Sequence, residues 1–140
     1  MTDTPYFPFN QNINNNYNLI SKNFLEKYCG ELSLGIYHAQ HYYGQDTLIS
    51  IRISQPTGTM LYEIIGYNRF RQKLSDMNIH SIRFYNIIQT NQPLGANNVL
   101  INFYGKAEIN GIHYNIICMI IIKNLTNGPQ ILNQILQISV

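Results

Sequence analysis

The stretch "GIHYNIICMIIIKN", from Gly111 to Asn124, decides what kind of protein this is, because it is nearly all apolar between Ile112 and Ile122. A membrane-spanning helix needs about 20 consecutive apolar residues, and this run is far shorter, with His113 and Asn115 inside it. Isoleucine is β-branched and suits a strand better than a helix. The stretch is therefore predicted to be a buried strand, and no membrane insertion is expected.

The composition of the whole chain narrows the classes of partner. A length of 140 residues favours one domain with a real core. A net charge of +2 is too weak to indicate direct nucleic-acid binding. The N-terminus lacks the basic and apolar regions of a signal peptide, so we expect a soluble, intracellular chain. Charged residues make up only 11% of the chain, and a surface poor in charge is more easily covered by another chain.

Candidate metal ligands are few and scattered. Cys29 and Cys118 have no spacing typical of a disulfide framework or a zinc site. His38 and His41 are three residues apart on a predicted helix and share a face, but only Asp46 is near enough to join them. That set falls short of the ligand count that a metal needs. The sequence predicts no metal site and no cofactor.

Acid and base candidates for catalysis are equally sparse. Asp76 and His80 flank the entry to a predicted strand and could lie near a cavity. A general base needs a perturbed carboxylate in an enclosed pocket, whereas Asp76 follows Ser75 at a helix end that we expect to be solvated. The chain contains no glycine-rich phosphate loop and no nucleophile elbow. No catalytic residue is predicted.

Helical periodicity appears in the first half of the chain. Residues 1–16 are polar and Asn-rich, and we interpret them as a flexible leader that precedes a domain over residues 17–140. Apolar residues at three- and four-residue steps predict a first helix, a short helix over residues 33–44 and a third helix after Gly66. The prediction of the first helix is based on Tyr17, Ile20, Phe24, Tyr28 and Leu32. The prediction of the third helix is based on Tyr67, Phe70, Leu74 and Met77.

Strand patterns occupy the remaining segments of the chain. Alternating or continuous apolar runs predict six strands, over residues 47–54, 60–65, 80–90, 99–109, 112–123 and 130–140. Asn110–Gly111 is the dipeptide most favoured in a tight hairpin turn. Helices come first, then an antiparallel meander, with one helix inserted after two strands. This order predicts an α+β domain in which about three helices pack on one face of a sheet.

Five stretches in this order resemble the nuclear transport factor 2 family. They are "FLEKYCGEL" (24–32), "LGIYHAQHYYGQDT" (34–47), "IIGYNRFRQKL" (64–74), "NQPLGANNVLINFYGKAEING" (91–111) and "ILNQILQI" (131–138). Each is similar to a family segment at the matching place, and together they cover about residues 18–140. The resemblance implies a cone, in which a strongly curved antiparallel sheet wraps helices on one face and commonly dimerises through the other.

Strand alternation in the last hairpins divides residues between those two faces. The predicted inner set is Val99, Ile101, Phe103, Ile116, Cys118, Ile120 and Ile122. The opposite set is half apolar, where a solvated sheet face would be polar. We therefore predict that a partner chain covers it. The predicted partner-binding residues are Leu100, Asn102, Tyr104, Ile117, Met119, Ile121 and Ile135.

The resemblance also implies a class of partner. Family members act in nucleocytoplasmic transport, between nucleus and cytoplasm, as a homodimer or as a heterodimer with a related domain. Ran-GDP carriage relies on carboxylates around the cavity mouth, but the matching positions here hold Asn110, Ile112, Arg52 and Ser54, with only Glu108 nearby. Their absence argues against Ran-GDP. The small subunit of the mRNA export receptor, which does not need those acids, is the branch we favour.

Three alternatives stay open from the sequence. FG-repeat nucleoporins are a further class of partner, although the tryptophan that helps the transport factor hold them has no counterpart in a chain without Trp. The same fold forms the homodimerisation domain of stress-granule RNA-binding proteins. It also hosts small-molecule-binding enzymes such as ketosteroid isomerase and scytalone dehydratase, so fold alone does not settle function.

Overall fold

The computed structural model describes residues 11–140, with side chains from residue 16 onward. Helix α1 spans Gln11–Leu34 and is followed by a 3-10 helix over Ile36–Tyr42. The strands are β1 (Tyr43–Gln55), β2 (Gly58–Ile65), β3 (Arg83–Gly95), β4 (Asn98–Ile109), β5 (Ile112–Leu125) and β6 (Gly128–Ser139). Helix α2, over Tyr67–Asp76, lies between β2 and β3. In the described range, no helix combines the length and the apolar character that crossing a membrane requires.

The six strands form one curved sheet in the order β2-β1-β6-β5-β4-β3. Four of the neighbouring pairs are antiparallel, as the α+β prediction expects. The pair of β1 and β6 is parallel and differs from the predicted meander. Because these two strands stand at opposite ends of the sheet-forming sequence, no local turn specifies how they pair.

The helices pack on the inner face of this sheet, and the core lies between them. All seven residues of the predicted inner set are at most 3% exposed, which confirms the alternation read from the sequence. Helix α1 contributes Phe24, Tyr28 and Leu32 to the same core, and α2 contributes Phe70 and Leu74. This arrangement is the predicted helix-on-sheet architecture.

The start of the first helix differs from the sequence-based expectation. Helix α1 already begins at Gln11, inside the segment 1–16 that we assign to a leader. It continues through Gly30 and ends at Leu34, directly before Gly35. Residues 1–10, including the rest of the leader, lie outside the described residues, and the division into leader and domain stays a prediction.

The tight turn between β4 and β5 is confirmed. Ile109 pairs with Ile112, which leaves Asn110 and Gly111 as a two-residue loop. Their φ angles of 54° and 79° are both positive, as a type I′ hairpin turn requires. This turn sets the register of β4 against β5 and so sets which of their residues face outward.

Candidate functional site

The side of the sheet opposite the helices carries three rows of side chains that run across all six strands. The first row is Ile65, Leu48, Asn133, Ile121, Leu100 and Gln92; the second is Glu63, Ser50, Ile135, Met119, Asn102 and Thr90; the third is Leu61, Arg52, Gln137, Ile117, Tyr104 and Ile88. We call the surface formed by these eighteen residues the outer sheet face.

All seven predicted partner-binding residues lie on the outer sheet face. Tyr104 and Ile117 are each 52% exposed, Ile135 is 41% exposed and Met119 is 38% exposed. The remaining three, Leu100, Asn102 and Ile121, are half-buried. The structure thus brings this set together on β4, β5 and β6, and its role in binding a partner stays a prediction.

Four further apolar residues extend this face and were not in the predicted set. Leu48, Leu61, Ile65 and Ile88 are between 48% and 61% exposed and lie on β1, β2 and β3. Leu48 precedes the buried Ile49 on β1, so strand alternation places Leu48 on the outward side. The missing information was strand order, because only the pairing of β1 with β6 brings Leu48 beside Asn133.

A groove indents the outer sheet face on the side of β1 and β2. It has a volume of about 500 Å³. Its outward-facing lining comes from all four strands β2, β1, β6 and β5, and consists of Ile65, Glu63, Leu48, Ser50, Asn133, Ile135, Ile121 and Met119. Within the described residues, the Glu63 carboxylate has no ion-pair partner. The groove is therefore mainly apolar with one unpaired acid in its wall.

Beyond the third row, the same side of β3, β4 and β5 becomes polar. Arg83 and Glu108 form an ion pair with Nη2 and Oε1 2.6 Å apart. The Tyr85 hydroxyl lies 2.6 Å from Nδ1 of His113. Paired polar groups of this kind are typical of the rim of a protein interface, whose centre is apolar.

An enclosed polar cluster in the interior is formed by Tyr28, Tyr43 and Gln134. The Tyr43 hydroxyl donates to Oε1 of Gln134 at 2.6 Å, and Nε2 of Gln134 donates to the Tyr28 oxygen at 2.7 Å. The two hydroxyl oxygens are 2.6 Å apart, so Tyr28 closes the ring by donating to Tyr43. Burial raises the pKa of both hydroxyls well above their usual value. The ring contains no carboxylate and satisfies its own hydrogen bonds.

The residues considered for metal binding or catalysis are dispersed. His38 and His41 both lie on the 3-10 helix and are exposed, and Nε2 of His41 is 3.5 Å from Oε2 of Glu31. Asp46 is exposed on β1. Across residues 16–140, no three His, Cys, Asp or Glu side chains are grouped as metal ligands.

Asp76 and His80 both face solvent. The Asp76 carboxylate accepts a hydrogen bond from Nε2 of Gln72 at 2.8 Å, on the exposed side of α2. His80 contacts Asn78, with Nε2 3.3 Å from Oδ1. Neither side chain belongs to the enclosed polar cluster, so the structure does not bring the acid and base candidates into one enclosed site.

Solved structures with this fold include a transport factor, a complex of two proteins and a protein described as associated with another. Nuclear transport factor 2 from Cryptosporidium parvum matches at 17% identity with a TM-score of 0.71, over 87% of this chain and 94% of that one. The C. albicans Mtr2–Mex67 M domain complex matches at 8% identity with a TM-score of 0.69, and the match covers 87% of this chain and 94% of the matched chain. The yeast UBP3-associated protein BRE5 matches at 16% identity with a TM-score of 0.61, and the match covers 85% of this chain and 93% of the matched chain.

The same fold also occurs in a putative ketosteroid isomerase from Parabacteroides distasonis, at 12% identity and a TM-score of 0.54, over 81% of this chain and 82% of that one. No protein-family model matches the chain, and no curated protein matches it. At these identities the matches show the fold alone, and one fold can serve several functions.

Proposed function

We propose that this chain, which has the nuclear transport factor 2-like fold, is a non-enzymatic protein-binding module that dimerises through its outer sheet face in nucleocytoplasmic transport. The observation that carries the proposal is the apolar character of that face. Eight of its large apolar side chains are between 38% and 61% exposed, and they lie in contiguous rows. Exposed apolar surface of this extent marks an interaction site.

The free energy available from burying this face is of the same order as the cost of association. Full burial of a Leu, Ile or Met side chain contributes about 1.5–3 kcal/mol, and these side chains already have about half of their surface covered. Seven of the eight are Leu, Ile or Met, and together these seven would contribute about 5–10 kcal/mol. That gain is comparable to the roughly 4–15 kcal/mol that association costs in lost rotation and translation, and the polar rim adds to it.

The interior supports a binding module over an enzyme. In the isomerases and dehydratases that share this fold, catalysis uses acidic, His or Tyr side chains inside the cavity. Here the enclosed polar cluster of Tyr28, Tyr43 and Gln134 has no carboxylate, and its hydroxyls are hydrogen-bonded to each other. Among the described residues, this interior contains no general base that a substrate could reach.

Within transport, the role of an mRNA export cofactor subunit is favoured over Ran-GDP carriage. Glu108 is the one acid near the places where the transport factor has its carboxylates, and it is already paired with Arg83. The match to the Mtr2–Mex67 M domain complex supports a partner of related fold. Such a role implies a location in both nucleus and cytoplasm. FG-repeat nucleoporins are a further class of partner within this proposal.

A homodimerisation domain of a scaffold protein is the second candidate. The match to BRE5, a protein described as UBP3-associated, favours it. The outer sheet face would serve the same purpose in both candidates, because each requires another chain to cover it. The candidates differ in what the complex recruits, and they share the prediction that follows.

The solution mass of purified variants tests the interface. Met119→Asp and Ile135→Asp each place a charge at the centre of the outer sheet face. We expect both to convert a multimeric sample to a folded species of 16.2 kDa, the mass of one chain. Leu19→Asp is the matched control, because Leu19 is also exposed and apolar but lies on α1. Light scattering that gives the same multimeric mass for wild type and both sheet variants would contradict the proposal.

A further inference from the structure

We propose that the helical side of this chain binds a short acidic peptide segment of a partner protein, in which a carboxylate lies close to a large apolar side chain. The site is a groove of about 500 Å³ between the end of α1, the start of the 3-10 helix and the end of α2, which we call the helix-end groove. None of the eighteen residues of the outer sheet face lines it. The proposal therefore adds a second binding surface and does not depend on what covers the first.

Two exposed apolar side chains stand at the helix-end groove. Leu34, the last residue of α1, is 73% exposed, and Tyr37 on the 3-10 helix is 67% exposed. With Val140, they are the most exposed large apolar side chains among the described residues. Ile36 and Ile79 belong to the same lining and are buried. An apolar side chain of a partner would find contacts both inside the groove and at its edge.

Arg71 supplies a positive charge to the groove. It is exposed in the second half of α2 and shares a face of that helix with Ser75, four residues later, and both line the groove. Within the described residues, Arg71 forms no ion pair. A guanidinium binds a carboxylate through two parallel hydrogen bonds. Arg71 is therefore available to hold an acidic side chain of a ligand.

Two histidines meet at the other side of the groove, around Gly35. A Cβ at Gly35 would lie 3.3 Å from Cδ2 of His38 and 3.8 Å from the carbonyl oxygen of His80. The backbone N–H of Ile36 donates to that carbonyl oxygen at 2.8 Å, which holds His80 against the 3-10 helix. Both imidazoles are exposed in the lining. A neutral imidazole has one N–H donor, so this pair can donate to carbonyl or carboxylate oxygens of a ligand.

The charges around the groove favour a single negative charge on the ligand. Among the described residues that line it, there is no Asp or Glu. Asp76 follows Ser75 but accepts a hydrogen bond from Gln72 at 2.8 Å, on α2 itself. Both α1 and α2 end at the groove, and a helix carries partial negative charge at its C-terminal end. One guanidinium beside these partial charges suits a carboxylate better than a phosphate group, whose charge approaches about −2.

The exposed side chains favour a peptide over a small molecule. Leu34 and Tyr37 project from the surface, so a ligand that covers them has to extend beyond the groove. A peptide segment can place its acid on Arg71 and its apolar side chain against Leu34 and Tyr37 at the same time. Aromatic and arginine side chains are also the residue types that dominate the free energy of protein interfaces.

Selection from a phage-displayed library of random short peptides tests the chemistry of the ligand. The full chain is one bait, and Arg71→Ala is the other. We expect the wild type to enrich peptides with Asp or Glu close to Leu, Phe or Tyr, and Arg71→Ala to lose that enrichment. The proposal would be overturned by enrichment of peptides without an acid, by equal enrichment on both baits, or by no enrichment at all.

Fluorescence anisotropy with the most enriched peptide tests the role of Arg71. We expect Arg71→Ala to raise the dissociation constant about 10- to 100-fold, as the loss of a charge-assisted pair does. Arg69→Ala is the matched control, because Arg69 is also exposed on α2 but does not line the groove, and residues two apart in a helix face different directions. Its constant should change less than about 3-fold. Equal losses in both variants would indicate general attraction to a basic helix and overturn the site.

Leu34→Ser tests the apolar half of the site. We expect it to raise the dissociation constant about 5- to 10-fold. Leu19→Ser is the control, because Leu19 is 60% exposed on the same helix but about 22 Å away along its axis at the usual rise per residue. Circular dichroism verifies that each variant is folded. Binding that survives Leu34→Ser and is lost in Met119→Asp would move the peptide to the outer sheet face and overturn the helix-end groove.

The solution mass separates this proposal from the proposed function. Arg71→Ala and Leu34→Ser should bind less peptide and keep the mass of the wild type, whereas Met119→Asp should keep its peptide affinity and lose multimeric mass. A fall in mass in Arg71→Ala would overturn the separation of the two surfaces. Unchanged peptide binding in Met119→Asp would support it, whatever the mass of that variant.

Discussion

The hydroxyl oxygens of Tyr28 and Tyr43 lie 2.6 Å apart in the core, where Gln134 links the two into a closed ring of hydrogen bonds. The three side chains are 1%, 7% and 2% exposed. They join α1, β1 and β6, elements that are far apart in the chain. A satisfied buried polar cluster of this kind fixes one arrangement of a core, because any other packing leaves polar groups unpaired.

Stability should fall at alkaline pH because of these hydroxyls. Burial raises the pKa of Tyr28 and Tyr43 above the ordinary value of 10.0, so the unfolded chain loses those protons first. Their contribution is complete below about pH 10 and decreases above it by about 1.4 kcal/mol per pH unit for each group. Urea unfolding at pH 7 and pH 11 measures the difference. An equal free energy of unfolding at both values would contradict this assignment.

Replacing Gln134 by Leu should destabilise the fold. The change removes the acceptor of the Tyr43 hydroxyl and a donor to Tyr28, and leaves buried polar groups without partners. We expect a loss of about 2–3 kcal/mol in the free energy of unfolding. Gln137→Leu is the matched control, since Gln137 lies on the same strand but on the outer sheet face. Equal effects of the two substitutions would show that the ring does not stabilise the core.

Gly105→Ala should destabilise the sheet. A Cβ at position 105 would lie 2.5 Å from the carbonyl oxygen of Asn86 and 2.9 Å from Cδ1 of Ile87. Asn86 is in the left-handed region, with φ 53°, where the pairing of β3 with β4 shifts register. Backbone must therefore move to admit a methyl group, at a cost of roughly 1–3 kcal/mol. Thermal unfolding measures it, and an unchanged midpoint would contradict the close approach.

Gly30→Ala should stabilise the protein, in contrast to Gly105→Ala. Gly30 lies inside α1 and is exposed, and a Cβ there would meet nothing within 4 Å. Alanine has a higher helix propensity than glycine and loses less backbone entropy on folding, so a gain of about 0.5–1 kcal/mol is expected. The same thermal unfolding experiment should show a higher midpoint, and a lower one would indicate that α1 does not continue through this position.

Neither thiol should react in the folded protein. Cys118 is completely buried and Cys29 is half-buried, and burial raises the pKa of each thiol from 9.0 to about 12. The reactive thiolate is therefore scarce at pH 8. An aromatic disulfide reagent should label both cysteines in urea and neither in buffer over the same minutes. Rapid labelling of Cys29 in buffer would contradict its placement between α1 and β3.

Local patterns were sufficient to predict the two faces of β4 and β5. Their alternation is regular, and Asn110–Gly111 sets their register through a two-residue turn. Those two strands alone carry every predicted interface residue except Ile135, and placing them needs no knowledge of the remaining sheet. The outward residues of β6 followed from the same alternation.

Long-range pairing was the part that local patterns could not supply. The parallel contact between β1 and β6 joins segments from opposite ends of the sheet-forming sequence, with no turn to indicate it, and it creates the groove on the outer sheet face. The polar ring shows the same limit. Gln134 directly follows Asn133 in β6, so its sequence neighbours do not distinguish it. Its partners Tyr28 and Tyr43 become visible only when α1 and β1 are placed against that strand.

Methionine oxidation tests most directly whether another chain covers the outer sheet face. Met119 and Met60 are similarly exposed in the single chain, at 38% and 42%. Met119 lies at the centre of the face, while Met60 lies outside its three rows, near the turn between β1 and β2. In the protein as purified, we predict that hydroxyl radicals oxidise Met60 at least several times faster than Met119, with the two rates converging in Ile135→Asp. Equal rates in the wild-type protein would contradict a covered face.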